Sequence, residues 1–246
     1  KGESRNKIFT TFVHHSSDGM RMKNTFYLLL FWLGLSLEVP AQAIWSADFP
    51  FAGELPSNEM TELYQDEDGF VWIGTTNGLS RYDGYRLQTF QTDYLHPNRL
   101  THNHITCIAE DSAYLWIGTR KGLNLIDKRT YRITTPGEAP LQTAHIRSLC
   151  SDGKSRIWIA LNDRLLESRF PYHEYTSINL PSPNGKPSYI NSFFYEKGKE
   201  RLWICTSNGI FVYTDSTQDL RHLPPVGQTN SPFTLFQDRD GRYWLT

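Results

Sequence analysis

The stretch that decides the fold runs from Asp66 to Asp83 and reads DEDGFVWIGTTNGLSRYD. Similar stretches recur four times further along the chain, each centred on one tryptophan. The five tryptophans are Trp72, Trp116, Trp158, Trp203 and Trp244, so that successive ones are 44, 42, 45 and 41 residues apart. Such even spacing is typical of repeat architectures.

Within each repeat, short segments alternate apolar and polar residues, a pattern that indicates β-strands. For the second repeat we predict strands at Ile105–Ala109, Leu115–Thr119, Leu123–Asp127 and Tyr131–Thr134. Asp-Gly, Asn-Gly and Lys-Gly pairs separate the strands and supply the positive φ that tight hairpins need. Four antiparallel strands in ~40–45 residues make one propeller blade. We therefore predict an all-β fold, an incomplete β-propeller of about four and a half four-stranded blades, preceded by a signal-peptide helix.

The repeated tryptophans are expected to fill the gaps between neighbouring blades. An indole buries ~150–250 Å² of surface, which is worth ~4–6 kcal/mol before ordering costs. A role in sugar stacking is a weaker interpretation for a residue that recurs once per blade. The small residues that follow four of them predict the close approach of a neighbouring strand; they are Gly74, Gly118, Ala160 and Cys205.

The first 43 residues carry an export signal. Residues 1–21 are polar and read as a disordered upstream tail. Residues 22–43 combine a basic start, the apolar run Phe26–Leu37, a proline and small residues at Ala41 and Ala43, as in a signal peptide that is cleaved after Ala43. The apolar run is shorter than the ~20 residues of a membrane span, the alternative interpretation. In a Gram-negative cell, export would place the mature chain in the periplasm.

Residues 44–246 are expected to form one partial propeller without a linker. Its repeats cover about 57–100, 101–143, 144–187, 188–229 and 230–246. The segment 44–56 reads as a lone outer strand. The third repeat departs from the pattern at Leu161–Leu165, where an altered hairpin is expected, and Pro171 to Pro187 reads as an inserted surface loop. The fifth repeat stops at Thr246 as its second strand begins, so we expect a fragment of a longer reading frame.

Composition argues against several other classes of protein. Lys and Arg total 25 against 26 Asp and Glu, so the net charge is −1, and no basic stripe indicates contact with nucleic acid. We find no phosphate-binding loop, metal motif or nucleophile elbow, and expect no cofactor. The Asp-x-Asp-Gly strings at Asp66–Gly69 and Asp238–Gly241 read as hairpin turns, because they lack the remaining ligands of a calcium loop. The three cysteines, Cys107, Cys150 and Cys205, read as buried thiols.

Three strings carry a resemblance to a known family. DEDGFVWIGTTNGLSRYD, YLWIGTRKGLNLID at Tyr114–Asp127 and RLWICTSNGIFVYTD at Arg201–Asp215 resemble the two-component regulator propeller repeat. That repeat builds the periplasmic sensor region of hybrid two-component systems in Bacteroidetes. The resemblance implies a sensor of oligosaccharides from glycan breakdown that has no enzymatic activity in this region. It also implies a parent histidine kinase anchored in the inner membrane, with downstream propeller and kinase domains as partners and room for a homodimer.

One face of such a propeller would gather the loops that enter the innermost strands and the hairpins between second and third strands. The predicted ligand residues on that face are Arg99, His102, Asn103, His104, Arg120, Lys121, His145, Arg147 and Arg164. This group is more cationic than the chain as a whole, and arginine and lysine can bind the carboxylates or sulfates of acidic oligosaccharides. A solvated loop surface is the simpler alternative for each residue.

Two other functions stay open. Streptogramin-lyase-type propellers have similar tryptophan repeats, and the histidines could act as bases; a carboxylate cluster beside a histidine would favour that enzyme. A secreted lectin or protein-interaction propeller is the other, and a stop codon directly after Thr246 would favour it.

Overall fold

The structure is a computed structural model that describes residues 51–245, apart from residues 94, 96–97, 138, 163, 183–184, 224–233 and 239. The upstream tail, the signal peptide and most of the segment 44–56 lie outside the described residues, so the expectations about them stay predictions. Of the segment 44–56, the described part contains a 3-10 turn at Ala52–Glu54.

Four four-stranded sheets and one two-stranded sheet follow one another along the chain. The first contains β1 Met60–Gln65, β2 Val71–Thr75, β3 Gly78–Tyr82 and β4 Leu87–Phe90. The second contains β5 Ile105–Glu110, β6 Tyr114–Thr119, β7 Gly122–Asp127 and β8 Ile133–Thr134. The third contains β9 Ser148–Ser151, β10 Arg156–Ala160, β11 Leu165–Arg169 and β12 Tyr175–Ile178. The fourth contains β13 Ile190–Glu196, β14 Arg201–Thr206, β15 Gly209–Thr214 and β16 Asp219–Leu223, and the fifth contains β17 Leu235–Gln237 and β18 Tyr243–Leu245.

Each sheet is an antiparallel meander in which sequence neighbours pair. The first strands of successive sheets contact one another, β1 with β5, β5 with β9, β9 with β13 and β13 with β17. This arrangement confirms the predicted propeller, with these strands innermost, and the sheets are called blades 1 to 5 below. The helices among the described residues are short: α1 at Ala139–Thr143 and 3-10 turns at Ala52–Glu54 and Lys197–Lys199. None of these is long and apolar enough to span a membrane.

The core lies between the blades, as the tryptophan pattern predicts. Trp116 of blade 2 packs with Leu149 and Ile157 of blade 3, and it is fully buried. Trp158 of blade 3 packs in the same way with Ile190 of blade 4. Gly118, two residues after Trp116, is required by the close packing of the inner segments, because a Cβ there would lie 2.3 Å from the Cys107 sulfur of the same blade and 2.9 Å from Ile146 Cγ2.

The second hairpin of blades 1, 2 and 4 is closed by the threonine of a Thr-x-x-Gly pattern that the third repeat lacks. In blade 2 the Thr119 hydroxyl donates to the Gly122 carbonyl at 2.7 Å and accepts from the Lys121 amide at 3.1 Å. Thr75 and Thr206 make the same pair of bonds. In blade 3 Leu161 takes the place of the threonine, and the turn is closed by the Leu161 amide, which donates to the Arg164 carbonyl.

A carboxylate at the end of each first strand binds the indole of its own blade in all blades but the third. Trp72 Nε1 donates to Asp66 at 2.7 Å, and Trp116 Nε1 donates to Asp111 at 2.6 Å. Asp66 also accepts from the Phe70 amide, which supports the interpretation of the Asp66–Gly69 string as a turn. Trp203 and Trp244 donate to Glu196 and Asp238. The Trp158 indole N–H has no hydrogen-bond partner among the described residues.

The prediction for residues 171–187 needs correction. The stretch from Pro171 to Pro187 is not simply an inserted loop, because it contains β12, the fourth strand of blade 3, which pairs with β11. The described prolines of this stretch, Pro171, Pro181 and Pro187, lie outside the ladder, where a missing amide costs no strand bond. Cys107 and Cys205 are buried as predicted. Cys150 is partly exposed as a residue, but it packs against the core around Trp158 and its thiol is buried. Burial raises the pKa of Cys107 and of Cys150 to about 12.

Candidate functional site

The candidate site is a cleft formed at the innermost strands of the blades. β-Bulges in three of these strands position some of the residues that line it. The pairing register shifts between Met60 and Glu62, between Ile105 and Cys107, and between Ile190 and Ser192. Each bulge leaves one residue out of the ladder: Thr61, Thr106 or Asn191. In blade 3 Arg147 takes this place, directly before the residue that pairs with Ala160. Bulges re-aim side chains in this way near functional sites.

These four residues and four neighbours line one cleft of about 260 Å³. The neighbours come from the segments that enter the innermost strands and from the hairpin between β6 and β7. A hydrogen bond joins the two kinds of segment: the Arg120 amide donates to the His104 carbonyl at 3.0 Å. The walls of the cleft are Thr61, His104, Ile105, Thr106, Arg120, His145, Arg147 and Asn191.

Side chains of the bulges also tie one blade to the next. The Thr106 hydroxyl donates to the Ile146 carbonyl at 2.6 Å, and Arg147 Nε donates to the Ile190 carbonyl at 3.0 Å. The walls contributed by blades 2, 3 and 4 are therefore fixed relative to one another. The wall contributed by blade 1 differs, because the buried Thr61 hydroxyl has no hydrogen-bond partner among the described residues.

The cleft carries positive charge from its two arginines, and protonation of its two histidines would add to that charge. Burial, then the nearby Arg120 and His102, hold the pKa of His104 below its usual value, while Glu59 acts in the opposite direction. Burial, then Arg147, Arg120 and His104, lower the pKa of His145. Two half-buried imidazoles thus face two guanidinium groups. Among the described residues the walls of the cleft include no carboxylate.

The cleft brings together four of the nine predicted ligand residues: His104, Arg120, His145 and Arg147. The other five lie outside its walls. Arg99 donates to the Asp93 carbonyl, His102 accepts from the His104 amide, and the Asn103 side chain bridges Asn77 and the Thr92 amide. Lys121 and Arg164 are exposed on their hairpins.

Sequence reasoning missed Thr61, Thr106 and Asn191. Two of them are polar residues beside apolar ones near the start of a first strand, as in Ile105-Thr106-Cys107. That signal was present, but strict alternation assigns such a residue to one face of the sheet, and only the bulge redirects it toward the centre.

Comparison with known proteins agrees with this architecture. The sequence profile of the two-component regulator propeller matches residues 54–77 and 99–121, which hold the first two turns and strands of the repeat pattern. Two segments of the chain therefore resemble this repeat. A search of curated protein sequences finds no match.

Solved structures share the fold over about three quarters of the chain. One extracellular domain, described as part of a hybrid two-component system of B. thetaiotaomicron, is 25% identical with a TM-score of 0.59; the match covers 76% of this chain and 25% of that one. A second such domain from that organism is 21% identical with a TM-score of 0.61, over 78% of this chain and 28% of that one. This chain therefore spans about a quarter of their length.

An enzyme shares the fold as well. Virginiamycin B lyase from Staphylococcus aureus is 16% identical with a TM-score of 0.60, and the match covers 76% of this chain and 62% of that one. Likeness at this level of identity reflects the fold alone, so the function of the propeller repeats has to be argued from the cleft.

Proposed function

We propose that this region is the periplasmic ligand-sensing propeller of a hybrid two-component system, and that it binds acidic oligosaccharides from glycan breakdown in the central cleft. The observation that supports the ligand class is the group of two arginines and two histidines around one cleft without a lining carboxylate. Guanidinium groups bind carboxylates and sulfates with two parallel hydrogen bonds. The repeats and the extracellular domains of similar fold support the sensor role.

The cleft is suited to sensing because residues from four blades line it. Thr61, Thr106, Arg147 and Asn191 come from blades 1 to 4 in turn. Since blades 2 to 4 are tied together at the cleft, a ligand that contacts all four residues would favour one placement of blade 1 against them, and differential binding of this kind is what shifts a conformational equilibrium. In the parent protein the shift would pass to downstream propeller and kinase domains, in a homodimer anchored in the inner membrane.

Binding is tested by calorimetric titration of the exported chain with a sulfated or uronate-containing disaccharide. Arg120→Gln removes one charge from the cleft wall and should weaken binding by about tenfold, the loss of one charge-assisted contact. Lys121→Gln is the matched control, since Lys121 is the next residue, equally exposed and outside the wall. An equal loss in both variants would mean that general surface charge, rather than the cleft, attracts the ligand.

The signalling role has a separate test in the gene. Codons for a membrane helix and kinase motifs downstream of Thr246 would support the sensor, and a stop codon at that place would contradict it. A preference for the uncharged form of the same disaccharide would contradict the ligand class while leaving the sensor role standing.

A further inference from the structure

Tyrosines close the outer gaps between the first three blades. Tyr131, in the turn between β7 and β8, belongs to the core around Trp72, and the Arg81 guanidinium lies 4.1 Å from its ring centre. Tyr172, in the turn between β11 and β12, stands edge-on to Trp116 at 4.8 Å. Its hydroxyl donates to Asp111 at 2.6 Å. In both cases a turn of one blade inserts a phenol ring against the previous blade.

Blade 4 has a turn of the same conformation, but the residue at the position of the tyrosine is not aromatic. Tyr131 and Tyr172 have φ of 56° and 65°, and Gln218, in the turn between β15 and β16, has φ of 54°. Left-handed backbone of this kind is uncommon for residues other than glycine. Gln218 comes four residues after Thr214 at the end of β15, just as Tyr131 comes four residues after Asp127 at the end of β7. The position that tyrosine fills in blade 2 is therefore occupied by an exposed glutamine in blade 4.

The missing ring leaves an open groove between blades 3 and 4. Its volume is about 600 Å³, and Gln218 is one of the residues that line it. A volume of this size falls within the ~300–1,000 Å³ of typical small-molecule sites. The groove is separate from the central cleft, and the two have no lining residue in common.

The walls of the groove combine aromatic rings with hydrogen-bonding groups of both signs. Phe170 is 58% exposed, and Tyr213 forms part of the opposite wall. Glu167 is held by Arg156 and Arg169, at 3.4 and 3.2 Å. The remaining polar groups are spread around the space; they are Ser168, His173, Glu174, Thr176 and Gln218.

The aromatic wall is also held in place before any ligand arrives. The Phe170 amide donates to the Ser155 carbonyl at 2.7 Å, and the Ser168 hydroxyl donates to the Glu174 carbonyl at 2.7 Å. Tyr172, two residues after Phe170, is fixed by its buried bond to Asp111. Binding to a preorganised wall avoids the cost of ordering a loop.

We propose that this groove is a second ligand site and that it binds an uncharged sugar. A sugar ring has hydroxyl donors and acceptors on every side, which suits a space surrounded by carboxylates, an arginine, hydroxyls and amides. Its apolar face can pack on Phe170. A phenol has a single hydroxyl, so it would form a hydrogen bond with only one of these polar groups. An ion would gain little electrostatic attraction, because the charges of the carboxylates and of the guanidinium groups offset each other. The groove therefore differs from the cationic central cleft in the ligand that it selects.

The test is titration of the chain with uncharged disaccharides such as maltose, cellobiose and lactose at millimolar concentration, with phenol as a comparison. We expect one of the sugars to bind saturably. Gln218→Tyr should weaken that binding by at least about tenfold and raise the melting temperature, because the left-handed position already suits a tyrosine in blades 2 and 3. Phe170→Ala should weaken binding similarly, and Tyr85→Ala is its control, since Tyr85 is an exposed ring outside the groove.

Several results would overturn the proposal. They are the absence of saturable sugar binding, binding of phenol in place of sugars, unchanged affinity in Gln218→Tyr, or an equal loss in Tyr85→Ala. If Gln218→Tyr does not fold, the comparison of Phe170→Ala with Tyr85→Ala decides. Arg120→Gln, which should weaken binding of acidic sugars in the central cleft, should leave maltose-type binding unchanged, so failure of one site is distinguishable from failure of the other.

Discussion

At the scale of single residues, two tryptophans with the same local role have different surroundings. Trp116 is fully buried between blades 2 and 3, donates to Asp111 and lies against Tyr172. Trp244 makes the equivalent bond to Asp238 but is 50% exposed. The hydrogen bond from the indole to a carboxylate is therefore common to both tryptophans, whereas only Trp116 is fully buried.

Trp116→Ala should lower the free energy of unfolding by ~3–5 kcal/mol, the usual cost of emptying a large aromatic site. Trp244→Ala should cost clearly less, because half of that side chain remains in water in the folded state. Chemical denaturation followed by circular dichroism measures both. Since domains are stable by only ~5–15 kcal/mol, the first variant is close to the limit of folding. Equal costs would show that the indole–carboxylate bond, and not burial between blades, dominates.

At the scale of elements, neighbouring strands can approach closely at Gly118 because glycine has no side chain. A Cβ on Gly118 would lie 2.3 Å from the Cys107 sulfur and 2.9 Å from Ile146 Cγ2. Both neighbours belong to packed inner segments of blades 2 and 3, so that neither can give way without moving a strand.

Gly118→Ala should therefore destabilise the protein by ~1–3 kcal/mol, the usual cost of overpacking. Gly137→Ala is the matched control, because nothing lies within 4 Å of a Cβ at Gly137 and its φ is not in the left-handed region. That variant should be neutral or slightly stabilising. Thermal unfolding of the two proteins side by side distinguishes strand packing from a general effect of replacing glycine.

The elements also show what the sequence could and could not predict. Strand β6 was predicted as Leu115–Thr119 and is Tyr114–Thr119, because apolar alternation around a buried tryptophan is a strong local signal. Tyr131 was predicted inside the fourth strand but lies in the turn before it, with positive φ. Its aromatic character favours strand locally, whereas its contact with blade 1 decides its place, and such tertiary contacts leave no local trace.

The candidate cleft was predictable in part for a similar reason. His104, Arg120, His145 and Arg147 follow from repeat spacing, since equivalent loops of a propeller meet on one face. Arg99 and Asn103 come from the same loops but bond to nearby backbone and side chains. Spacing predicts which loops meet, whereas bond partners decide which side chains reach the centre.

At the scale of the whole molecule, the central cleft should make ligand binding depend on pH. His104 and His145 have pKa values below the usual 6.5, owing to burial and the neighbouring Arg120 and Arg147. An anion favours the protonated imidazoles, so that affinity should rise as pH falls from about 7.5 to about 5.5. The free protein should respond in the opposite sense: because the folded pKa values are depressed, the stability from these histidines is present above pH 6.5 and lost as pH falls.

Calorimetric titrations with the acidic disaccharide in buffers of different ionisation enthalpy measure the proton uptake directly. The double variant His104→Gln, His145→Gln should take up fewer protons and lose most of the pH dependence. His173→Gln is the control, because His173 is exposed and lies outside the central cleft. A pH dependence that survives the double variant would assign it to the ligand or to other groups.

The contacts between innermost strands have a consequence for how the molecule opens. β5 contacts β1 and β9, and β9 contacts β5 and β13, so stabilisation passes only from neighbour to neighbour. In such quasi-one-dimensional proteins, opening starts where a unit has the fewest neighbours and spreads inward. Backbone amides of β6 and β10 should therefore exchange with deuterated solvent most slowly, and those of β18, whose Tyr243, Trp244 and Leu245 are all exposed, should exchange within the shortest times.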